Sequence, residues 1–283
     1  MFIISVEICV DLCENLKMRL IAAWQSIRGQ SFGCASGVST HYNGRHRRKE
    51  HDTMGGYQLD PQSVVGRVQA SGLPARVPTL RGSLLRGALG FILVSIAGFA
   101  PWAVAGGWFY RHMGEAGMYI ACALVFMGTA GLLMHRLIIG PGSLIRFYLL
   151  FTPAFGVYSV AWIVGWMTLR GHLGGIVGLL AGTALMGVMI AQAFDARRQT
   201  FKVIAALFVL NSAGYFFGGV VEGALLHMEG FPGSDMAQAI VAKSSWGVFY
   251  GAGLGAGLGW AFYLCQGKTR ALLEETNTRP RSG

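Results

Sequence analysis

The stretch that decides the fold covers residues 243–266 and reads KSSWGVFYGAGLGAGLGWAFYLCQ. It is long enough to cross a bilayer as one helix, because about 20 apolar residues that each rise about 1.5 Å span the hydrocarbon core. Its abundant glycine would destabilise a soluble helix, since glycine loses more backbone entropy on folding than any other residue. In a membrane, small residues let neighbouring helices approach closely and pack. We therefore interpret the stretch as a transmembrane helix with closely packed neighbours.

The glycines of this helix form two series on different sides. Gly253 and Gly257 make the shorter series. The longer series recurs at every fourth residue: Gly247, Gly251, Gly255 and Gly259. At about 100° per residue, the two series lie roughly opposite each other. Two such grooves predict a helix held between two partners at the centre of a bundle.

The composition of the whole chain supports a membrane protein. Of the 283 residues, 53% are hydrophobic and only 13% are charged, which is too apolar for an ordinary soluble domain. The net charge of +10 raises the question of nucleic-acid binding. However, no basic face is interleaved with aromatic residues on a soluble module, so nucleic acid is not a predicted partner. The predicted partners are the lipid bilayer and, through helix faces, a second copy or other membrane proteins.

Six apolar segments reach or approach the length that spans a bilayer. The sequence therefore predicts an all-α integral membrane protein, a bundle of six transmembrane helices in which the glycine-rich sixth helix is packed centrally. The predicted spans cover residues 84–106, 118–139, 145–167, 173–194, 201–221 and 244–265.

The chain before and after these spans is predicted to be two tails. Residues 1–82 form a mostly disordered N-terminal tail, in which residues 2–28 show the spacing of an amphipathic surface helix and residues 29–82 read as linker. An alternative for the first part is a wrongly assigned start, with Met54 or Met18 as the true first residue. The transmembrane domain is predicted over residues 83–267, and residues 268–283 form a short basic C-terminal tail.

The loops predict the orientation. Arginine and lysine are concentrated on the side of the membrane that carries both tails, for example Arg197, Arg198 and Lys202 after the fourth span. Cytoplasmic loops carry such an excess. The sequence thus predicts a multi-pass protein of the plasma (inner) membrane with both termini in the cytoplasm.

The fifth span carries a stripe of polar and small residues within about 80° on a helical projection. Such a face is expected to turn away from lipid. The stripe consists of Asn211, Gly214, Gly218 and Glu222, and Lys243 continues the glycine stripe of the sixth span. We consider three interpretations of Glu222 and Lys243: an ion pair that clamps the two helices, a solute or proton site at the outer mouth, and unpaired surface charges.

Histidines and tryptophans near the span ends give weaker signals. His112, His172 and His227 fall in or beside the outer loops, where they are weak candidates for a metal site. Since nothing in the sequence brings them together, no metal and no cofactor is predicted. The tryptophans are explained better by anchoring at the head-group level than by a binding site. They are Trp102, Trp108, Trp162, Trp166, Trp246 and Trp260.

Two functions from different classes remain open at this point. The first is a small-solute or ion transporter or channel with a polar path through Asn211 and Glu222. The second is a non-catalytic scaffold or regulator that binds partner membrane proteins through its glycine-rich helix faces. A membrane enzyme is a third and weaker interpretation, because no nucleophile with an adjacent base is recognisable.

Overall fold

The structure, a computed structural model, describes residues 57–72 and 77–278, in which every regular element is helical. Gly114, with a φ of 67° that favours glycine, separates the second helix from the third. The helices are α1 Pro61–Ala70, α2 Leu80–Gly114, α3 Ala116–Leu137, α4 Ser143–Leu169, α5 Gly171–Ala193, α6 Thr200–Leu226, α7 Asp235–Cys265 and α8 Gly267–Thr278.

Six of these helices, α2 to α7, are long and apolar enough to cross a membrane. The predicted bundle of six transmembrane helices is confirmed. Their outward faces carry large exposed apolar side chains, such as Leu89 and Val220. Exposure of apolar side chains to water is unfavourable, so these surfaces indicate contact with the lipid bilayer. The helix α7 begins at Asp235, well before the predicted start, since Ser234 caps it by accepting a hydrogen bond from the Ala237 N–H.

The helix α7 lies at the centre, between α2 and α6, as the two glycine series predict. On the α2 side, a β-carbon added at Gly255 would fall 2.6 Å from the Phe91 Cβ, and closer still to the Gly87 carbonyl oxygen. On the α6 side, a β-carbon added at Gly253 would fall 2.9 Å from the Gly214 Cα. The backbones therefore touch on both sides, and only glycine fits between them.

A second pair of helices, α4 and α5, is packed in the same way, which the sequence analysis did not predict. A β-carbon at Gly178 would fall 2.7 Å from the Trp162 carbonyl oxygen, and one at Gly182 would fall 2.8 Å from the Tyr158 carbonyl oxygen. The bundle thus contains two glycine-packed units: α2, α7 and α6 form one, and the α4–α5 hairpin forms the other.

Phenylalanine rings fill the bundle toward the end that carries α1 and α8. Phe147 stacks on Phe151 with ring centroids 4.9 Å apart, and Phe262 contacts Phe147 and Phe194 at 6.1 and 5.7 Å. Phe91 meets Phe151 edge to face at 6.1 Å. All five side chains are buried. These rings come from four different spans, so they close the bundle at this end.

Two short helices differ from the predicted tails. The linker prediction for residues 29–82 is wrong over Pro61–Ala70, where α1 begins with an Asp60 cap and a proline in its first turn. The C-terminal tail continues as α8, which packs on α1 through Leu273, Val64 and Val68. The amphipathic helix predicted for residues 2–28, and the choice between start sites, lie outside the described residues.

Gln266 connects these end elements to the bundle. Its Oε1 accepts a hydrogen bond from the Ile139 N–H at 2.8 Å, and its Nε2 donates to the carbonyl oxygens of Leu137 and Phe262 at 2.8 and 3.0 Å. The side chain is buried. Buried backbone groups without hydrogen-bond partners are costly. The Gln266 amide supplies such partners to backbone groups of the α3–α4 loop and of α7.

Candidate functional site

An inner chamber of about 390 Å³ lies within the bundle, a volume in the range of small-molecule sites. Nine of its sixteen wall residues are aromatic and none is charged, so it favours an uncharged occupant. The wall consists of Ser95, Gly98, Phe99, Tyr119, Cys122, Ala123, Phe126, Met127, Phe155, Tyr158, Ser159, Trp162, Ile163, Tyr215, Trp246 and Tyr250.

The polar part of this wall is a pair of tyrosine hydroxyls backed by an amide. The Oη atoms of Tyr158 and Tyr250 are 3.2 Å apart, and Asn211 Nδ2 donates to Tyr158 Oη at 2.9 Å. Asn211 is completely buried in the middle of α6. Together these three side chains join α4, α6 and α7 at one point on the chamber wall.

The tyrosine pair has one hydroxyl hydrogen more than it uses. Each phenol carries a single O–H hydrogen, and only one of the two can lie between the Tyr158 and Tyr250 oxygens. Asn211 donates to the pair through Nδ2, and its buried Oδ1 has no hydrogen-bond partner within the described part of the chain. No further acceptor for either hydroxyl is found among residues 57–72 and 77–278. One phenolic hydrogen therefore remains for a bound molecule.

Ser95 is a second unused donor on the same wall. Its side chain is 5% exposed, and within the described part of the chain its Oγ has no hydrogen-bond partner. A serine in a helix commonly donates to a carbonyl oxygen one turn earlier. Ser159 follows this pattern and donates to the Phe155 carbonyl oxygen at 2.8 Å, whereas Ser95 does not.

An outer chamber of about 490 Å³ shares part of its wall with the inner one, and both chambers are partly open to the outside of the bundle. Glu222 and Lys243 lie on its wall, and Lys243 Nζ is 3.3 Å from Glu222 Oε1. The lysine side chain is 21% exposed and the glutamate side chain is 24% exposed. Such partly exposed pairs contribute little stability, because water screens them. His172 also lies on this wall. The outer chamber therefore offers charged and polar groups that the inner chamber lacks.

Four aromatic residues belong to the walls of both chambers: Phe99, Trp162, Tyr215 and Trp246. Tyr215 contacts Trp162 and Trp246 edge to face, each at 6.0 Å between ring centroids. Trp246 stacks on Tyr250 at 4.9 Å. These rings form a partition between the charged outer chamber and the apolar inner one.

The head-group interpretation of the tryptophans is wrong for Trp162 and Trp246. Trp162 is only 5% exposed and faces both chambers with Trp246. Trp108 and Trp260 fit the interpretation better, since they are 50% and 37% exposed. Position along the chain does not separate the two kinds, because all of them lie toward span ends.

Phenylalanine rings close the inner chamber on the side away from the outer chamber. Phe155 stacks on Phe151 with centroids 5.2 Å apart, and lies 5.1 Å from the Phe126 ring. Phe126 in turn meets Phe91 edge to face at 5.5 Å. The phenylalanine cluster therefore bounds the inner chamber on this side.

The polar stripe predicted on α6 faces the neighbouring helices α4 and α7. Asn211 joins the tyrosine pair, Gly214 approaches Gly253, and a β-carbon at Gly218 would fall 3.1 Å from the Trp246 carbonyl oxygen. Glu222 contacts Lys243. Sequence reasoning missed Tyr158, Tyr250 and the aromatic partition, for which the only signal was aromatic residues inside four different spans.

The three histidines do not come together. His112 stacks on Trp108 with centroids 4.8 Å apart, His172 lies in the outer chamber, and His227 Nδ1 is 2.8 Å from the Gly223 carbonyl oxygen. Within the described ranges, no three histidine, cysteine, aspartate or glutamate side chains are grouped so that they could hold a metal ion.

Comparison of the chain with models of protein families, with curated proteins and with solved structures gave no match. The function must therefore be argued from the geometry of the two chambers.

Proposed function

We propose that the protein is a carrier for a small uncharged solute, which passes through the outer chamber into the inner one. The observation that supports this proposal is the pair of adjoining chambers, which lead from the Glu222–Lys243 surface to a hydrogen-bonding cluster in the middle of the bundle. Transporter sites commonly lie near the bilayer midplane, between helices.

The chemistry of the inner wall argues against an ion as the solute. A desolvated ion needs opposite charges or several polar ligands, because transfer of a charge from water to an apolar site is costly. The inner chamber offers aromatic faces and hydroxyl groups, among them those of the tyrosine pair and of Ser95. Hydroxyls and aromatic faces suit an uncharged molecule with one or two polar atoms.

The closed end argues for a carrier rather than an open channel. The phenylalanine cluster of Phe91, Phe126, Phe151 and Phe155 blocks the continuation of the inner chamber. A molecule in the chamber can leave on the other side only after a conformational change. This is the behaviour of a carrier that exposes its site alternately to the two sides.

The scaffold alternative was based on glycine-rich helix faces that are free to bind a partner protein. The glycine faces of α7 pack against Ser83–Phe99 of α2 on one side and Leu207–Gly218 of α6 on the other. They are consequently occupied within the chain. A scaffold would have to use another surface, and no specific contact favours one.

We also propose that both termini face the cytoplasm and that the protein resides in the plasma (inner) membrane. The support is the excess of arginine and lysine on the side of α1, α8 and the α5–α6 turn. The outer chamber would then open to the outside of the cell.

The experiment uses two native cysteines, so that no solute needs to be known. Cys122 lies on the wall of the inner chamber, whereas Cys265 is buried in the packed core. One variant keeps Cys122 alone and a matched control keeps Cys265 alone, with the other four cysteines replaced by serine or alanine. Both are reconstituted in liposomes and treated on one side at a time with an uncharged, strongly polar methanethiosulfonate that does not cross the lipid.

A carrier predicts that Cys122 is modified from both sides and Cys265 from neither. Modification of Cys122 from one side only would make the chamber a binding site without transport. No modification from either side would refute access through the outer chamber. Mass spectrometry of the intact protein gives the modified fraction.

A further inference from the structure

We propose that the inner chamber binds an uncharged, ring-containing molecule with an acceptor oxygen, such as an aryl ketone, and that the Tyr158–Tyr250 pair donates a hydrogen bond to that oxygen. The inference rests on the proposed function and deepens it, because it names the chemical class of the solute.

The hydrogen bonds of the wall determine that the ligand supplies an acceptor. The tyrosine pair has one O–H hydrogen without an acceptor, and the Ser95 hydroxyl adds a second donor. Ser159 is already engaged with its own helix. A buried donor without a partner is unfavourable, so a molecule that supplies an acceptor relieves this cost when it binds.

The aromatic wall determines the rest of the ligand. Phe126, Phe155, Trp162 and Trp246 approach the chamber from three helices. Aromatic side chains offer flat faces and edges on which a second ring gains more than its apolar area alone provides. Because no charged residue lies on the wall, a formal charge on the ligand would stay uncompensated. A flat, uncharged body with one carbonyl oxygen satisfies both parts of the wall.

The probes are two molecules of the same shape that differ at one atom. The ketone 2-acetylnaphthalene has a carbonyl oxygen at the position at which 2-isopropenylnaphthalene has a methylene group. Each is equilibrated by dialysis with the full-length protein in phosphatidylcholine nanodiscs, and with empty nanodiscs that correct for dissolution in lipid. We expect the ketone to bind the protein about three- to tenfold more tightly than the hydrocarbon, the effect of one hydrogen bond.

Variants identify the donor. Tyr250→Phe leaves the Tyr158 hydroxyl with a free hydrogen, so it should retain the ketone preference. The double variant Tyr158→Phe, Tyr250→Phe removes both hydroxyls of the pair and leaves those of Ser95, Tyr119 and Tyr215, so we expect its ketone preference to fall clearly below that of the wild type. Tyr263→Phe is the matched control, since it makes the same change at a tyrosine that lies under Arg270 and outside the chamber wall.

The wild-type comparison tests the proposal even if the double variant does not fold. Equal binding of the two probes by the wild type would overturn the ligand class. An undiminished ketone preference in a folded double variant would overturn the assignment of the donor. Cys122 modification from both sides without a ketone preference would refute the ligand class and leave the carrier. A ketone preference with modification from one side would refute the carrier and leave the ligand class.

Discussion

The contact between α2 and α7 gives the sharpest test of the fold, at Gly255. A β-carbon at this position would lie 2.6 Å from the Phe91 Cβ, 2.8 Å from the Gly87 carbonyl carbon and closer still to the Gly87 oxygen. Carbon atoms attract each other at about 3.5–4.0 Å and repel at these distances. None of these atoms can rotate away, because they are backbone atoms or a β-carbon. Gly255→Ala therefore forces the two helices apart.

The expected change in the free energy of unfolding combines two opposing effects. Overpacking of a tight site costs typically about 1–3 kcal/mol, and the number and rigidity of the contacts at Gly255 favour the upper part of that range. Alanine recovers about 1 kcal/mol because it is the better helix former. We expect Gly255→Ala to lower the free energy of unfolding by about 1–2 kcal/mol. Gly255→Leu should cost more, because its additional atoms also have no space.

The matched control is Gly156→Ala in the middle of α4. A β-carbon there meets nothing within 4 Å, and the residue is exposed on the bundle surface. The same substitution should be neutral or stabilise by up to about 1 kcal/mol. The assay is SDS-driven unfolding in mixed micelles, followed by tryptophan fluorescence. A Gly255→Ala protein as stable as wild type, beside a Gly156→Ala protein that behaves as expected, would refute the direct contact of α7 with α2.

Four further predictions concern topology, the ion pair, the tail and the amide at the end of α7. Reporters fused after Gln199 or after the C-terminus should give cytoplasmic signals, whereas one within residues 229–235 should give an external signal; a cytoplasmic signal there would contradict the orientation. In a double-mutant cycle, Glu222→Gln should destabilise, and the exchange Glu222→Lys with Lys243→Glu should recover part of the loss, with a coupling of about 0.5–1 kcal/mol; zero coupling would reject the pair. Deletion of residues 1–53 should leave a monodisperse bundle in size-exclusion chromatography, because no span is lost, and aggregation of the truncated protein alone would show that the tail belongs to the fold. Gln266→Ala should lower the free energy of unfolding by about 1–3 kcal/mol, since it leaves a buried N–H of the α3–α4 loop without its acceptor; a neutral effect in the SDS assay would mean that water replaces the amide.

The sequence predicted the number of spans and the central position of α7 because both depend on local properties. The length of an apolar run decides whether it crosses the bilayer, and the spacing of glycines decides which faces allow close approach. Asn211 was noticed for a similar reason, since an amide within an apolar span is costly unless another helix supplies a partner. These inferences need no knowledge of which helices are neighbours.

The chambers could not be predicted, because they depend on how the spans are arranged around each other. Tyr158 and Tyr250 are separated by 92 residues, and their hydroxyls meet only after α4 and α7 take their places. Trp162 and Trp246 lie at depths where lipid-facing anchors also occur, so only the rotation of each helix distinguishes the two roles. The short helices α1 and α8 were missed because tertiary contacts, more than propensity, stabilise helices of this length.

The distribution of glycine contacts indicates which parts of the bundle move in a carrier. Backbone contacts fix α7 to α2 and α6, and they fix α4 to α5, so each unit is expected to move as a rigid body. Between the units, the inner chamber is bounded by larger side chains, with Phe155, Tyr158 and Trp162 on α4 opposite Trp246 and Tyr250 on α7. Side chains can change rotamers, whereas glycine-packed backbones cannot separate without losing their contacts. A rocking motion of the α4–α5 hairpin against α2, α6 and α7 would open the phenylalanine cluster and leave both glycine-packed units intact, but it would have to shift Gly187 of α5 against the Ile204 backbone of α6.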